Sequence, residues 1–283
     1  MGNSGIVYVA FGEDYFRAAI DGAQIGSTHT DLPIHIITDS KSSVDFGSKN
    51  ITVQSVEFPT NRIDAENHTC SCGRQATNQS SLFGNKWLCE WHWKGVACRM
   101  VRTNMLDYTP FENTLALDAD SLIQNRGVEL FIDLLQDADF AGVNTYVIDI
   151  GKTMPRIYRS AMLHLGARCP LTMWSGACWA IRNSKQSREF INKWHECWTY
   201  LCSIGNIRDM PALASAVQTT DFNLVEFPRN FFGHYDYSPE YTVQHSYYGS
   251  KPHYWERFNI PRPEPNAPQM TAGDWDSVTE NDP

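Results

Sequence analysis

The chain opens with Gly5-Ile-Val-Tyr-Val-Ala-Phe11, a segment apolar almost throughout, and this does most to restrict the folds open to it. A strand without alternation is buried on both faces, which places it near the centre of a sheet. Residues 13–24 follow with Phe16, Ala19, Ile20 and Ala23 at helical spacing, and then comes a second apolar strand, Leu32-Pro-Ile-His-Ile-Ile-Thr-Asp39. Residues 51–58 alternate and read as a third strand. A strand–helix–strand opening predicts a parallel, doubly wound α/β sheet, in which ligands gather beyond the carboxyl ends of the strands. Asp39 and Asp118 both stand at such ends.

The run around Asp118 is the most informative. Thr114-Leu-Ala-Leu117 reads as a buried strand and terminates in Asp118-Ala119-Asp120. Residues two apart on an extended segment point the same way, so both carboxylates can face one point. Two such groups repel unless a cation lies between them. Mg²⁺ and Mn²⁺ take oxygen ligands of this kind and share their remaining positions with substrate phosphates. The alternative is a strand end with two solvated acids.

With 283 residues, 42% of them hydrophobic, the chain can bury a large core. A formal net charge of −9 argues against a protein whose main task is to grip a nucleic-acid backbone over a wide surface. No apolar run is long enough to span a membrane, and no secretory leader precedes the first strand, so a cytoplasmic location is expected. Further helices are predicted over 94–106, 128–135, 187–200 and 210–217, and further strands over 139–143, 173–181 and 224–227. From residue 261 onward the chain is Pro-rich and acidic, and 261–283 is expected to be disordered.

Residues 59–93 interrupt the pattern with a polar insert carrying Cys70-Ser-Cys72-Gly73 and Cys89-Glu-Trp-His92. Cys70, Cys72, Cys89 and His92 have the chemistry of a tetrahedral zinc site, with Gly73 allowing a tight knuckle and His68 able to stand in for one ligand. An insert with so few apolar residues would take folding energy from the metal. The alternative is a set of free thiols in a loop. Arg62, Arg74, Lys86 and Lys94 would give the insert a positive face, with Phe83, Trp87, Trp91 and Trp93 either stacking on an acceptor or covering the knuckle. Cys98, Cys169, Cys178, Cys197 and Cys202 read as core thiols.

Taken in order, several features resemble the nucleotide-sugar glycosyltransferases of the GT-A type, most closely the glycogenin-like family 8. They are a Tyr just after the first strand, Leu117-Asp118-Ala119-Asp120, a strand bearing Ser175-Gly176, Asp209 before a short helix, and His245-Ser-Tyr-Tyr-Gly249-Ser-Lys251-Pro252. The resemblance covers roughly residues 5–256 apart from the insert. It implies a GT-A fold, Rossmann-like with a mixed central sheet flanked by helices, over residues 1–260, with 59–93 as a zinc-binding insert. It also implies Mn²⁺ or Mg²⁺ at Asp118, Asp120 and His245, a neutral imidazole being a good third ligand for Mn²⁺. Gly249 would let the backbone approach a phosphate and Lys251 would neutralise it.

By the same resemblance, Ala10, Phe11 and Tyr15 would hold the base and ribose of a UDP-linked donor. Arg99 or Arg102 would touch its phosphates or sugar. Ser175 and Gly176 would lie on the acceptor side, where the family has Asn-x-Gly. Asp209 would orient or transiently attack the sugar carbon, with a plain helix N-cap as its alternative. The implied activity is sugar transfer with retention at the anomeric carbon, to a glycan, a protein or a modified nucleobase. Two other readings compete. One is a non-catalytic module of the same fold whose zinc insert docks on protein or nucleic acid. The other is a nucleotidyltransferase, against which the missing Gly-rich N-terminal loop and the late His-Gly-Lys motif both weigh.

Overall fold

The computed structural model of the chain describes residues 3–42, 44–47, 50–58, 65–80, 86–148, 156–168, 170–234, 238 and 240–245. Strand β1 (Ser4–Ala10) leads into helix α1 (Glu13–Gly26), then β2 (Ile34–Thr38) and β3 (Ile51–Ser55). The third strand stops at Ser55, short of the expected 58. A short pair, β4 (Asn78–Ser80) and β5 (Lys86–Leu88), precedes α2 (Glu90–Arg102) and α3 (Met105–Tyr108). Next come β6 (Asn113–Asp118), β7 (Ser121–Ile123), a 3₁₀ turn at Arg126–Glu129, α4 (Leu130–Asp137), β8 (Phe140–Ile148) and α5 (Arg156–His164). The chain continues through β9 (Leu171–Arg182), α6 (Lys185–Ser203), α7 (Met210–Thr219), β10 (Leu224–Glu226), β11 (Phe232–His234) and β12 (Val243–His245).

Seven strands form the main sheet in the order β10-β8-β9-β6-β1-β2-β3. The β6-β1-β2-β3 half is parallel, as the opening pattern predicts. Strand β9 runs antiparallel to both β6 and β8, so the sheet as a whole is mixed. Strand direction was not readable from an apolar run alone, because parallel and antiparallel core strands share the same composition.

Helices cover both faces. Along β1, Val7 and Val9 enter a core layer with α2, α6 and α7, while Ile6, Tyr8 and Ala10 enter the opposite layer with α1 and α4. That two-sided burial explains why β1 shows no polar alternation. Helix α6 fills the first layer with Phe190, Trp194 and Trp198, and the indole N–H groups of the two tryptophans donate to Asp209 O (3.1 Å) and Ile207 O (2.9 Å). These bonds pin the turn that leads into α7.

The helix expected over 94–106 starts earlier, at Glu90, and breaks at Thr103-Asn104 before α3. Both residues there turn their side chains to His195 Nδ1 on α6, at 2.9 Å each. Burial holds the His195 imidazole below its usual pKa, which favours the neutral ring that can accept at Nδ1. Among the described residues no helix is long and apolar enough to cross a membrane. Residues 246–283, and with them Gly249, Lys251 and the expected tail, lie outside the described residues, as do Arg62, Phe83 and Cys169.

Candidate active site

Strand β6 ends on Asp118, Ala119 and Asp120 form the turn, and β7 leaves in a new direction. Strand β12 pairs antiparallel with β7 and sets His245 opposite Ser121, beside the acidic turn. His245 Nε2 then lies 3.5 Å from Asp118 Oδ2 and 3.2 Å from Asp120 Oδ1, and the three ligand atoms fall within 4.8 Å of one another. The imidazole is buried and packs against the Phe232 ring, 5.8 Å between centroids. Two carboxylates and one imidazole at the carboxyl end of a parallel strand suit a hard divalent cation with open positions. The three sequence-predicted ligands therefore meet, although Asp120 sits in a turn rather than on an extended strand.

A third carboxylate lies next to this group. Asp209 is 4% exposed, and its Oδ2 accepts from Arg102 Nη1 at 3.1 Å, with Arg99 Nε 3.7 Å from Oδ1. Arg102 reaches Asp118 with its other nitrogen, Nη2. Burial would raise the Asp209 pKa, but the charges of Arg102 and Arg99 outweigh it and hold the carboxyl below its usual range. Asp209 opens α7, yet its side chain makes no capping bond. Its side-chain partners are the two arginines and not the first-turn amides of the helix. Arg99 and Arg102 both face Asp209, and Arg102 bridges it to Asp118.

Strand β9 completes this wall. Its last ladder partner on β6 is Cys178, opposite Leu117, so the residues before it continue past the end of β6 to the level of the acidic turn. The pairing of β9 with β8 shifts register between Trp179 and Trp174, and Ser175-Gly176 falls in that irregular stretch. A Cβ on Gly176 would stand 3.2 Å from Asp209 Oδ2. The glycine thus lets the carboxylate approach the strand closely, while the Ser175 hydroxyl is turned inward to accept from Ala177 N–H at 3.1 Å.

On the other side of Asp118, Ala10 and Phe11 are buried at the end of β1 and Tyr15 is half exposed on α1. Gly12 follows with φ 95° and ψ 147°, a conformation open in practice to glycine alone. Its N–H donates to Asp39 Oδ1 at 2.7 Å, which ties the end of β1 to the end of β2. Lys94 from α2 passes over this glycine, its Cδ 3.0 Å from where a Cβ would lie. The sequence pattern assigned Lys94 to the surface of the insert and did not connect Gly12 with Asp39. The one available signal was a glycine lodged directly between an apolar strand and a helix.

The four expected soft ligands also converge. Cys70, Cys72, Cys89 and His92 place their ligand atoms within 4.8 Å of one another. Bond lengths of a tetrahedral zinc site imply edges of about 3.8 Å between two sulfurs and about 3.6 Å between sulfur and nitrogen. Cys72 Sγ is 3.7 Å from Cys89 Sγ and Cys89 Sγ is 3.6 Å from His92 Nδ1, with Cys70 Sγ closer to His92 Nδ1 at 2.9 Å. The knuckle closes through Gly73 N–H donating to Cys70 O (2.8 Å), with Gly73 at φ 80°. Hydrogen bonding to Cys89, with a further bond to His92, holds the Cys70 thiol far below the usual thiol range.

His68 is not among the ligands. It stacks on Trp87 of β5, with the ring centroids 4.1 Å apart. Trp91 packs on the His92 ring at 4.9 Å and lies under Arg74. Trp91 thus stands beside one of the four converging side chains, and Trp93 packs against the main core. The described cysteines form no disulfide, and Cys178, Cys197 and Cys202 are core thiols.

No protein-family model matches the chain, and no curated protein matches it. Solved structures do. The galactosyltransferase LgtC, in complex with donor and acceptor sugar analogues, is 16% identical, with a TM-score of 0.57 over 90% of this chain and 94% of that chain. The glycosyltransferase GlyE of Streptococcus pneumoniae TIGR4 is 12% identical, with a TM-score of 0.53 over 97% of this chain and 62% of that chain. The chain therefore has the fold of the GT-A glycosyltransferases, a mixed sheet between two helical layers.

Proposed function

We propose that the protein is a glycosyltransferase that moves a sugar from a nucleoside-diphosphate donor, UDP-linked, to an acceptor, with Mn²⁺ or Mg²⁺ at Asp118, Asp120 and His245. The observation that carries the reading is the meeting of these three ligand atoms at the end of β6, against the Arg102–Asp209 pair, in a fold that known glycosyltransferases share. The cation would supply charge stabilisation for the departing nucleoside diphosphate, the term on which such a transfer depends most.

The chain's own residues do the rest. The end of β1, with Gly12 and Asp39, forms a narrow backbone wall for the nucleoside, and Lys94 adds a positive charge over it. Arg102 fixes Asp118 and Asp209 relative to each other. Asp209, held ionised between two arginines, is a weakly basic and therefore weakly nucleophilic carboxylate. It is better suited to orient sugar hydroxyls than to attack carbon. Lys251 supplies a further cation to the leaving phosphate, and transfer retains configuration. The Cys70, Cys72, Cys89 and His92 cluster is read as a structural zinc centre of the insert.

Calorimetric titration with UDP, GDP and CMP, each with and without Mn²⁺, tests the donor site. Binding of a nucleoside diphosphate that requires Mn²⁺ is expected. Failure of every nucleotide to bind, or binding indifferent to Mn²⁺, would remove the reading.

A further inference from the structure

The two metal-type clusters share one helix. Cys89 is the N-cap residue of α2 and His92 lies in its first turn, while Arg99 and Arg102 lie in its last. Ten residues of helix separate His92 from Arg102, an axial distance of about 15 Å. Between them, Lys94 passes over Gly12. Helix α2 therefore touches the knuckle, the end of β1 and, through Arg102, both Asp118 and Asp209.

The helix is poorly suited to hold itself in place. Its first turn contains Trp91, His92 and Trp93, Gly95 follows, and Val96 and Val101 are β-branched, all weaker helix formers than alanine or leucine. Cys89 makes no side-chain capping bond, and the one acid of the first turn, Glu90, is half exposed and paired with Lys94. A metal bound by Cys89 and His92, and by Cys70 and Cys72 from the facing knuckle, would do what a cap does not, and would fix the helix end in position as well as conformation.

We infer that the Cys₃His centre is a zinc clamp on α2 that holds Arg99, Arg102 and Lys94 in register with the donor site, so that zinc at one end strengthens divalent-cation binding at Asp118, Asp120 and His245. The inference rests on the strand-end metal reading for its binding arm only. Its structural arm, protection of the last turn of α2, stands apart from any activity.

Cys72→His retains four ligands at lower zinc affinity, which allows zinc to be withdrawn by a mild chelator and returned to the same folded protein. Amide hydrogen exchange across residues 90–102 is followed in both states, and Mn²⁺ binding is measured by the paramagnetic resonance of free Mn²⁺ once excess zinc is removed. Without zinc, protection should fall through to residues 99–102 and Mn²⁺ should bind about tenfold more weakly, within the usual range of coupling between separate sites. Both should recover when zinc is returned. Protection at 99–102 that is indifferent to zinc overturns the clamp, and so does global unfolding on zinc removal, since the effect would then not run along α2. If Mn²⁺ binds neither state, the strand-end metal reading fails, and the exchange data still decide the clamp.

Discussion

The buried pair of Arg102 and Asp209 offers a quantitative test of how the site is held. The two side chains are 10% and 6% exposed and lie 3.1 Å apart. Removing one partner of a buried ion pair leaves an uncompensated charge and costs about 3–5 kcal/mol. In Arg102→Met, Arg99 at 3.7 Å still faces Asp209 and offsets part of that cost, so about 2–3 kcal/mol is expected, or a fall in Tm of about 5–10 °C. Asp209→Asn should cost a similar amount, because it leaves Arg99 without its carboxylate and Arg102 with Asp118 alone. The double variant should cost less than the sum by about 2 kcal/mol, a coupling in the range seen for contacting charges. The pH dependence follows from the direction of the shift. Asp209 has a folded pKa below its unfolded value of about 3.9, so its contribution is complete near neutrality and is lost as pH falls through the folded pKa. Urea denaturation of parent and variants at pH 7, 5 and 4 provides the measurement. Additive single costs, or a parent-to-Asp209→Asn difference that does not begin to shrink toward acid pH, would refute the assignment of this pair as the brace of the site.

Three further outcomes follow from local geometry. Gly12→Ala places a side chain in a backbone region that only glycine tolerates and against Lys94, so a loss of about 1–3 kcal/mol is expected in thermal unfolding, with weaker nucleotide binding. Gly176→Val crowds the buried Asp209 carboxylate, 3.2 Å from where a Cβ would lie, and should lower both Tm and transfer rate; an unchanged Tm would contradict the close packing of this carboxylate on β9. Elemental analysis of purified protein should find about one zinc per chain, and Cys70→Ser should reduce it.

How far the sequence could be read depended on whether the information was local. The β1–α1–β2 opening and the acidic turn at Asp118-Ala119-Asp120 are local patterns, and the structure contains them at the expected places. The Cys and His spacing of the insert was also legible, since ligand chemistry needs few residues. The reversed direction of β9 and its slip between Trp174 and Trp179 were not, because partner and register are set by tertiary pairing. Helix α2 begins at Glu90 despite a first turn of aromatic and imidazole side chains with low helix propensity, so its start was hidden inside the polar insert. Asp209 was singled out by resemblance, with an N-cap as its alternative, and nothing local indicated two arginines from a helix more than a hundred residues earlier.

The central claim is that the strand-end cluster serves metal-dependent sugar transfer. Its most direct test is release of the nucleotide (UDP, GDP or CMP) from a panel of UDP-, GDP- and CMP-linked sugars in the presence of Mn²⁺, by the parent and by Asp120→Asn. The parent should hydrolyse at least one donor slowly, only with the divalent cation present, and Asp120→Asn should lose that activity while keeping the parent's circular dichroism and Tm. Hydrolysis by Asp120→Asn at the parent rate, or no release from any donor by the parent, would contradict the account.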